Sequence, residues 1–478
     1  MVGLRAIARG QASWGRAIRL AVAKTKTSWV CSACGAKFPR WMGRCSTCDA
    51  WSTLEEEVVR APTSTGAKER TGSSRAVALR DVSTEDAHRL PTGLGELDRA
   101  LGGGPVRGGV ILLGGDPGIG KSTLLMQALA GLAARKHRVL YVTGEESASQ
   151  VALRARRLGG EGMDDVRILA TTELEDAEGA IVSEVPDVAV IDSIQTLRAA
   201  SLGSSPGSVS QLREVAGRVV DLAKRHGIAT FLIGHVTKEG TLAGPKVLEH
   251  LVDTVLAFEG DRSHAFRVVR ATKNRFGPAQ EIGVFEMDRE GLREVPDPSA
   301  LFLAERPIDA PGSVVVPTAE GTRPLLVELQ ALVAPALYGA ARRVVSGVDG
   351  NRLAILLAVL DRKADVRVLE RDVFASVAGG ARVDERAMDL ALALAVVSSF
   401  RQRPLTPKLA VFGEVGLAGE VRAVPRPGPR IAEARKLGFA RVILPRANAE
   451  RLTKEERAGV KLVPVSSLGE ALEVALEG

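Results

Sequence analysis

The run Gly115, Asp116, Pro117, Gly118, Ile119, Gly120, Lys121, Ser122 fits the pattern G-x-x-x-x-G-K-[ST] and constrains this chain more than any other segment. A strand-like apolar stretch, Val110, Ile111, Leu112 and Leu113, precedes it. Residues 123–134, beginning with Thr123, follow as a helix with Leu124, Leu125, Ala128 and Leu129 on one stripe. A glycine-rich turn between a buried strand and a helix gathers backbone N–H groups at the positive end of the helix dipole, where phosphate oxygens are held. Residues 115–123 are therefore expected to cradle ATP, with Lys121 reaching the terminal phosphates and Ser122 placing its hydroxyl on Mg²⁺.

At 478 residues the chain has room for about three domains. The longest unbroken apolar run, 390–397, is far too short to span a bilayer, so no membrane partner is expected. The net charge of +7, from 64 basic and 57 acidic residues, pulls only weakly toward polyanions, and local clustering carries more. All four cysteines fall between positions 31 and 48, which suits a metal site in a cytoplasmic protein better than an exported disulfide scaffold. Residues 1–28 carry Arg5, Arg9, Arg16 and Arg19 without an acid or a secretory apolar core. They read as a disordered extension, although the composition also suits an organellar transit peptide.

Residues 29–56 form a compact cysteine module, and 57–90 are a polar linker. From 91 to 298 apolar β-branched runs at 110–113, 139–142, 188–191, 229–233 and 254–258 alternate with helical stretches. That alternation predicts an α/β fold around a mostly parallel sheet, extended by antiparallel strands at 266–271 and 282–287. After Pro296, Pro298, Pro307 and Pro311 a separate α+β unit, 299–478, opens with strands at 313–316 and 325–332 and helices near 352–362 and 384–400.

Cys31-x2-Cys34-x10-Cys45-x2-Cys48 pairs two knuckles at a spacing that suits one tetrahedral, structural Zn²⁺. So small a module buries little core, and its metal would supply ~10–16 kcal/mol of apparent folding free energy. Two disulfides are the alternative. Trp29, Lys37, Arg40, Trp41 and Arg44 would either contact a nucleic acid or partner, or simply cover the metal.

Asp192 ends the run 188–191, where a strand can deliver a carboxylate to the Mg²⁺ shell. Glu145 and Glu146 follow the strand 139–142; Glu145 is the preferred base for the attacking water and Glu146 the second choice, unless both merely cap the next helix. His235, after the strand 229–233, stands where it can feel the γ-phosphate or be merely structural. Arg267, Arg270, Lys273 and Arg275 lie in an acid-free segment. Such cations can complete a neighbouring subunit's ATP site, hold DNA phosphates, or line a solvated strand.

Taken together, these residues resemble the RadA family of bacterial DNA-repair ATPases, a branch of the RecA-like proteins. The resemblance runs from about Trp29 onward through the cysteine module, Thr92-Gly93, Leu97-Asp98, Leu101-Gly-Gly-Gly104, the phosphate loop, Gly144-Glu-Glu-Ser147 and Ile191-Asp-Ser-Ile-Gln195. It continues through Gly234-His-Val-Thr-Lys238, Ala243-Gly-Pro245 and Leu248-Glu-His250 to Lys273-Asn-Arg-Phe-Gly277, the signature that separates this family from RecA itself. It implies a homohexameric ring that hydrolyses ATP, translocates on single-stranded DNA and drives branch migration of recombination intermediates, often with RecA. Lys273 and Arg275 would couple nucleotide state to DNA, and 198–210 and 237–246 would be DNA loops.

The unit 299–478 is similar to the proteolytic domain of Lon proteases, including the run Phe412-Gly-Glu-Val-Gly-Leu-Ala-Gly-Glu420. Ala387 sits about where the nucleophilic serine belongs, and 421–430 offers arginine and proline instead of the activating lysine. Without those two groups acyl transfer has no route. The unit is expected to be a non-proteolytic scaffold, with Arg342, Arg343, Arg352, Arg362 and Lys363 offered to DNA. An ATP-switched assembly protein acting on protein partners is the competing reading. The cysteine module and the basic segment disfavour it.

Overall fold

A computed structural model describes residues 26–31, 36–47, 49, 51, 53–59, 88–235, 247–260, 266–336, 340–380, 383 and 385–476. Cys34, Cys48, the expected DNA loop 237–246 and most of the N-terminal extension and linker lie outside the described residues. Strands β1 (Lys26–Cys31), β2 (Lys37–Phe38) and β3 (Leu54–Val59) form an antiparallel sheet in the order β2-β1-β3. Strand β1 starts within the segment read as extension because Lys26 pairs with Val59 of β3.

The central unit begins with α1 (Gly95–Leu101), β4 (Val110–Gly115), α2 (Lys121–Ala134), β5 (Val139–Thr143) and α3 (Ala148–Leu158). It continues through β6 (Arg167–Ala170), α4 (Leu174–Glu184), β7 (Val188–Asp192), α5 (Val209–His226) and β8 (Ala229–His235). Helix α6 (Val247–Leu251) and strands β9 (Thr254–Glu259), β10 (Phe266–Asn274), β11 (Ile282–Met287) and β12 (Leu292–Glu294) complete it. The nine strands order as β12-β11-β10-β9-β4-β8-β7-β5-β6, parallel from β9 to β6 and antiparallel beyond β9.

Both faces of the parallel strands are covered, which is why they read as unbroken apolar runs. Ile111 and Leu113 of β4 join Leu125 and Leu129 of α2 on one side, while Val110 and Leu112 join Leu212 and Val219 of α5 on the other. Edge strand β6 shows no such pattern, with Arg167 and Ala170 exposed, and the apolar signal does not announce it. Helix α3 is capped by Ser147 in a reciprocal box with Gln150, so the cap falls on Ser147 rather than on the two glutamates before it.

Helix α7 (Pro298–Phe302) leads into β13 (Ser313–Glu320), β14 (Arg323–Pro335), β15 (Arg343–Ser346), α8 (Gly350–Lys363), β16 (Arg371–Val377), α9 (Asp389–Arg401) and β17 (Leu409–Val411). A short hairpin of β18 (Glu414–Val415) and β19 (Val421–Arg422) follows, then α10 (Pro427–Lys436), β20 (Arg441–Pro445), α11 (Arg446–Arg451), α12 (Lys454–Arg457), β21 (Lys461–Val465) and α13 (Leu468–Leu476). The second large sheet orders as β15-β16-β14-β13-β17-β20-β21 around α9, which is buried from Asp389 to Ser399.

Helix α9 starts later than its apolar periodicity suggests. Glu385 is held by Arg430 at 2.6 and 2.7 Å and by the Ala319 amide, and Arg386–Met388 turns as a 3₁₀ helix first. Ala387 is buried within that turn. Arg352 corrects the expected basic surface: it pairs with Asp389 and donates to the Val415 carbonyl at 2.7 Å, so it faces inward. The two units share one apolar cluster, in which Ile282, Val284 and Val295 pack with Val314, Val327 and Leu329.

Candidate nucleotide site

At the carboxyl edge of the parallel sheet, β4 delivers Gly115 into the loop Asp116, Pro117, Gly118, Ile119 and Gly120. Asp116, Pro117 and Gly118 are exposed, while buried Ile119 anchors the turn. Gly120 adopts φ 115°, a left-handed dihedral that favours glycine, while a Cβ there would meet the movable Met287 methyl at 2.6 Å. Lys121 is 4 % exposed, and its ammonium donates to the Gly115 and Asp116 carbonyls at 2.7 and 2.9 Å. Burial lowers its pKa, against the opposing pull of Asp192, Glu145 and Asp116. Ser122 and Thr123 open α2, whose first N–H groups face the loop.

Asp192 ends β7, two strands from β4, beside Thr143 of β5. It is 4 % exposed, and the Tyr141 hydroxyl donates to its Oδ2. Its Oδ1 is buried without a hydrogen-bond partner. An orphaned carboxylate oxygen near a serine at a phosphate loop fits a divalent cation, and Ser122 and Asp192 are the residues that would hold it. A Mg²⁺ held there would neutralise charge on the bound phosphates. The Asp192–Ser193 peptide is cis.

The Glu145 and Glu146 amides both donate to Thr143 Oγ1, at 3.3 and 3.1 Å. Their side chains then part. Glu145 is exposed at the loop edge and acts on Lys121, whereas Glu146 pairs with Arg154 at 2.7 Å. The backbone of His235 lies in register beside Gly115, at the same edge.

Lys273 and Arg275 are not brought to this edge. Strand β10 runs antiparallel to β9, so Lys273 and Asn274 pair with Val255 and Thr254, opposite Leu112 and Ile111 at the start of β4. Four residues of strand, about 13 Å, separate that end from Gly115. Lys273 donates to the Glu249 and Val252 carbonyls, and Arg275 pairs with Asp253 at 3.0 Å. Burial, then the Arg275 charge, lowers the Lys273 pKa. The segment is no bare cationic face either, since Arg267 is buried and Arg270 lies 3.3 Å from Glu259.

Three organising residues escape sequence reasoning. Tyr141 bonds the metal-shell candidate Asp192 and Arg154 bonds Tyr141, but they sit in a strand and a helix with no motif of their own. Buried Gln211 holds the expected DNA loop 198–210 by bonding Ala199 through both its N–H and C=O, and the Leu202 and Ser204 carbonyls. The polar residue on the buried face of α5 is the one available signal for it.

In the cysteine module, Cys31 and Cys45 are both fully buried and cluster with Leu54, under Trp29, Phe38 and Met42. Two buried thiols converging in so small a core fit a metal. Among the described residues no three ligating side chains converge; Cys34 and Cys48 lie outside them.

A phosphate loop, a buried strand-end carboxylate and an acidic residue on the adjoining loop, all at one edge of a parallel sheet, define a P-loop ATPase. Family models match residues 74–241 as an AAA domain, 29–56 as a rubredoxin metal-binding domain and 366–448 as subunit ChlI of Mg-chelatase. The DNA repair protein RadA of Pseudomonas aeruginosa is 52 % identical over 95 % of this chain and 100 % of its own length. The RadA proteins of Bacillus subtilis and Synechocystis are 46 % and 47 % identical, over 96 % and 95 % of this chain and 100 % and 95 % of theirs. The chain belongs to the RadA family of DNA repair proteins. Among the described residues no helix is long and apolar enough to cross a membrane.

Proposed function

We propose that this ATP-hydrolysing member of the RadA family is a DNA-dependent motor of recombinational repair. It assembles as a homohexameric ring, translocates on single-stranded DNA and promotes branch migration, with RecA as its expected partner. The observation that carries the reading is the separation of Lys273 and Arg275 from the phosphate loop of their own chain. Cations held at the opposite sheet edge can complete an ATP site only on a neighbour, which suits a ring.

Within that reading Lys121, Ser122 and Asp192 bind phosphate and Mg²⁺, Glu145 orients water, and His235 reports on the γ-phosphate. Zn²⁺ on the four cysteines folds 29–56. The unit from 299 to 478 serves as a Lon-like scaffold without proteolysis. Buried Ala387 and the Arg430–Glu385 pair support this, since neither offers a nucleophile or its base.

The test combines ATP turnover with and without single-stranded oligonucleotide and solution mass by light scattering. Stimulation in a ring-sized species is expected, with binding that weakens steeply as salt rises. A monomer whose turnover ignores DNA would sink the motor reading and favour an assembly switch acting on protein partners.

A further inference from the structure

One phenol oxygen touches the carboxylate assigned to the metal. Tyr141 is fully buried in the middle of β5, and its hydroxyl donates to Asp192 Oδ2. Arg154 Nη2 donates to the same oxygen at 3.1 Å, and its guanidinium lies 5.9 Å from the Tyr141 ring centre. Arg154 in turn pairs with Glu146 at 2.7 Å, on the loop that also carries Glu145. A phenol buried in a strand core has one proton to give. With Arg154 donating to its oxygen, that proton is directed at Asp192. Oδ2 is thereby occupied, and the orphaned Oδ1 is the oxygen left to face the cation.

We propose that Tyr141 is a positioning residue for the divalent cation, held by Arg154 and Glu146, and that this relay links the Glu145–Glu146 loop to the metal carboxylate. The inference rests on the nucleotide-site reading above. Glu146 thereby becomes the outer anchor of the metal site rather than a second candidate base. Hydrogen-bond partners of metal-ligating groups commonly contribute about 10- to 100-fold in metal affinity.

The test is Mn²⁺ binding by electron paramagnetic resonance on the full chain with saturating ADP, beside ADP binding measured in chelator. Tyr141→Phe is expected to weaken Mn²⁺ about tenfold and leave metal-free ADP binding within about twofold. Arg154→Lys is expected to weaken Mn²⁺ in the same direction by a smaller factor. The chain contains only two tyrosines, Tyr141 and Tyr338, so ring-fluorinated tyrosine gives a resonance for Tyr141 that should shift on cation addition. Wild-type Mn²⁺ affinity in both Tyr141→Phe and Arg154→Lys, with a resonance that ignores the cation, would overturn the relay. A wild-type chain that binds neither ADP nor Mn²⁺ would instead refute the nucleotide site itself.

Discussion

Arg323 of β14 donates to Glu96 of α1 at 2.6 Å, joining the two large units through a pair whose side chains are 9 % and 6 % exposed. Glu96 also accepts from the Val284 amide, and Arg323 donates to the Pro296 carbonyl, so the junction is a satisfied polar network set in shared apolar packing. Arg323→Ala leaves the buried Glu96 charge with only the half-exposed Arg99, 3.7 Å away, as a cationic partner. A loss of about 3–5 kcal/mol is expected in urea unfolding, whereas replacing both residues by apolar ones of similar volume should cost far less. Equal losses in the single and double variants would show that the pair is not the fastening.

Lys121 supplies a pH signature. Its folded pKa is depressed below 10.5 by burial, so folding releases its proton earlier than the unfolded chain does. As pH rises through the lowered value toward 10.5 the unfolded state binds more protons, and this group's contribution to stability increases. Nucleotide phosphates restore negative charge beside the ammonium and raise its pKa. ADP binding at a pH between the lowered and the restored pKa should therefore take up protons, measurable by calorimetry in buffers of different ionisation heat. Lys121→Ala should abolish both that uptake and hydrolysis while the fold persists; normal turnover in the variant would reject the phosphate-loop assignment.

The parting of Glu145 and Glu146 predicts unequal variants. Glu145→Gln should lower the maximal rate by roughly 10²–10⁴ without loss of nucleotide binding. Glu146→Gln should keep most of the rate at saturating Mg²⁺. The reverse ranking in steady-state assays would exchange their roles.

Lys273→Ala is expected to spare nucleotide binding and to remove stimulation by DNA. Arg275→Ala, if it completes a neighbour's site, should lower turnover by about 10³ or more. Mixing an Arg275→Ala chain with a Lys121→Ala chain should partly restore turnover, because each then supplies what the other lacks. No restoration in mixed rings would argue that both residues act elsewhere.

All four tryptophans, Trp14, Trp29, Trp41 and Trp51, precede residue 52, so tryptophan fluorescence reports on the cysteine module and its preceding segment alone. Chelation should change that fluorescence while the α/β unit keeps its melting transition. A single cooperative loss of both would disprove an independent metal module.

The sequence by itself determined whatever is local. Eight consecutive residues spell the phosphate loop, and strands covered on both faces show as runs because each residue within them is buried. Asp192 was readable for the same reason, as the first charge after such a run. Only the tertiary structure decided which side chains meet. Tyr141 reaches Asp192 across 51 positions, and strand reversal carries Lys273 to the far sheet edge. Arg352 turns inward because Asp389 lies beneath it. Periodicity records how deeply a residue is buried, whereas hydrogen-bond and charge partners depend on strand order and direction, and those are fixed by packing between segments distant in the chain.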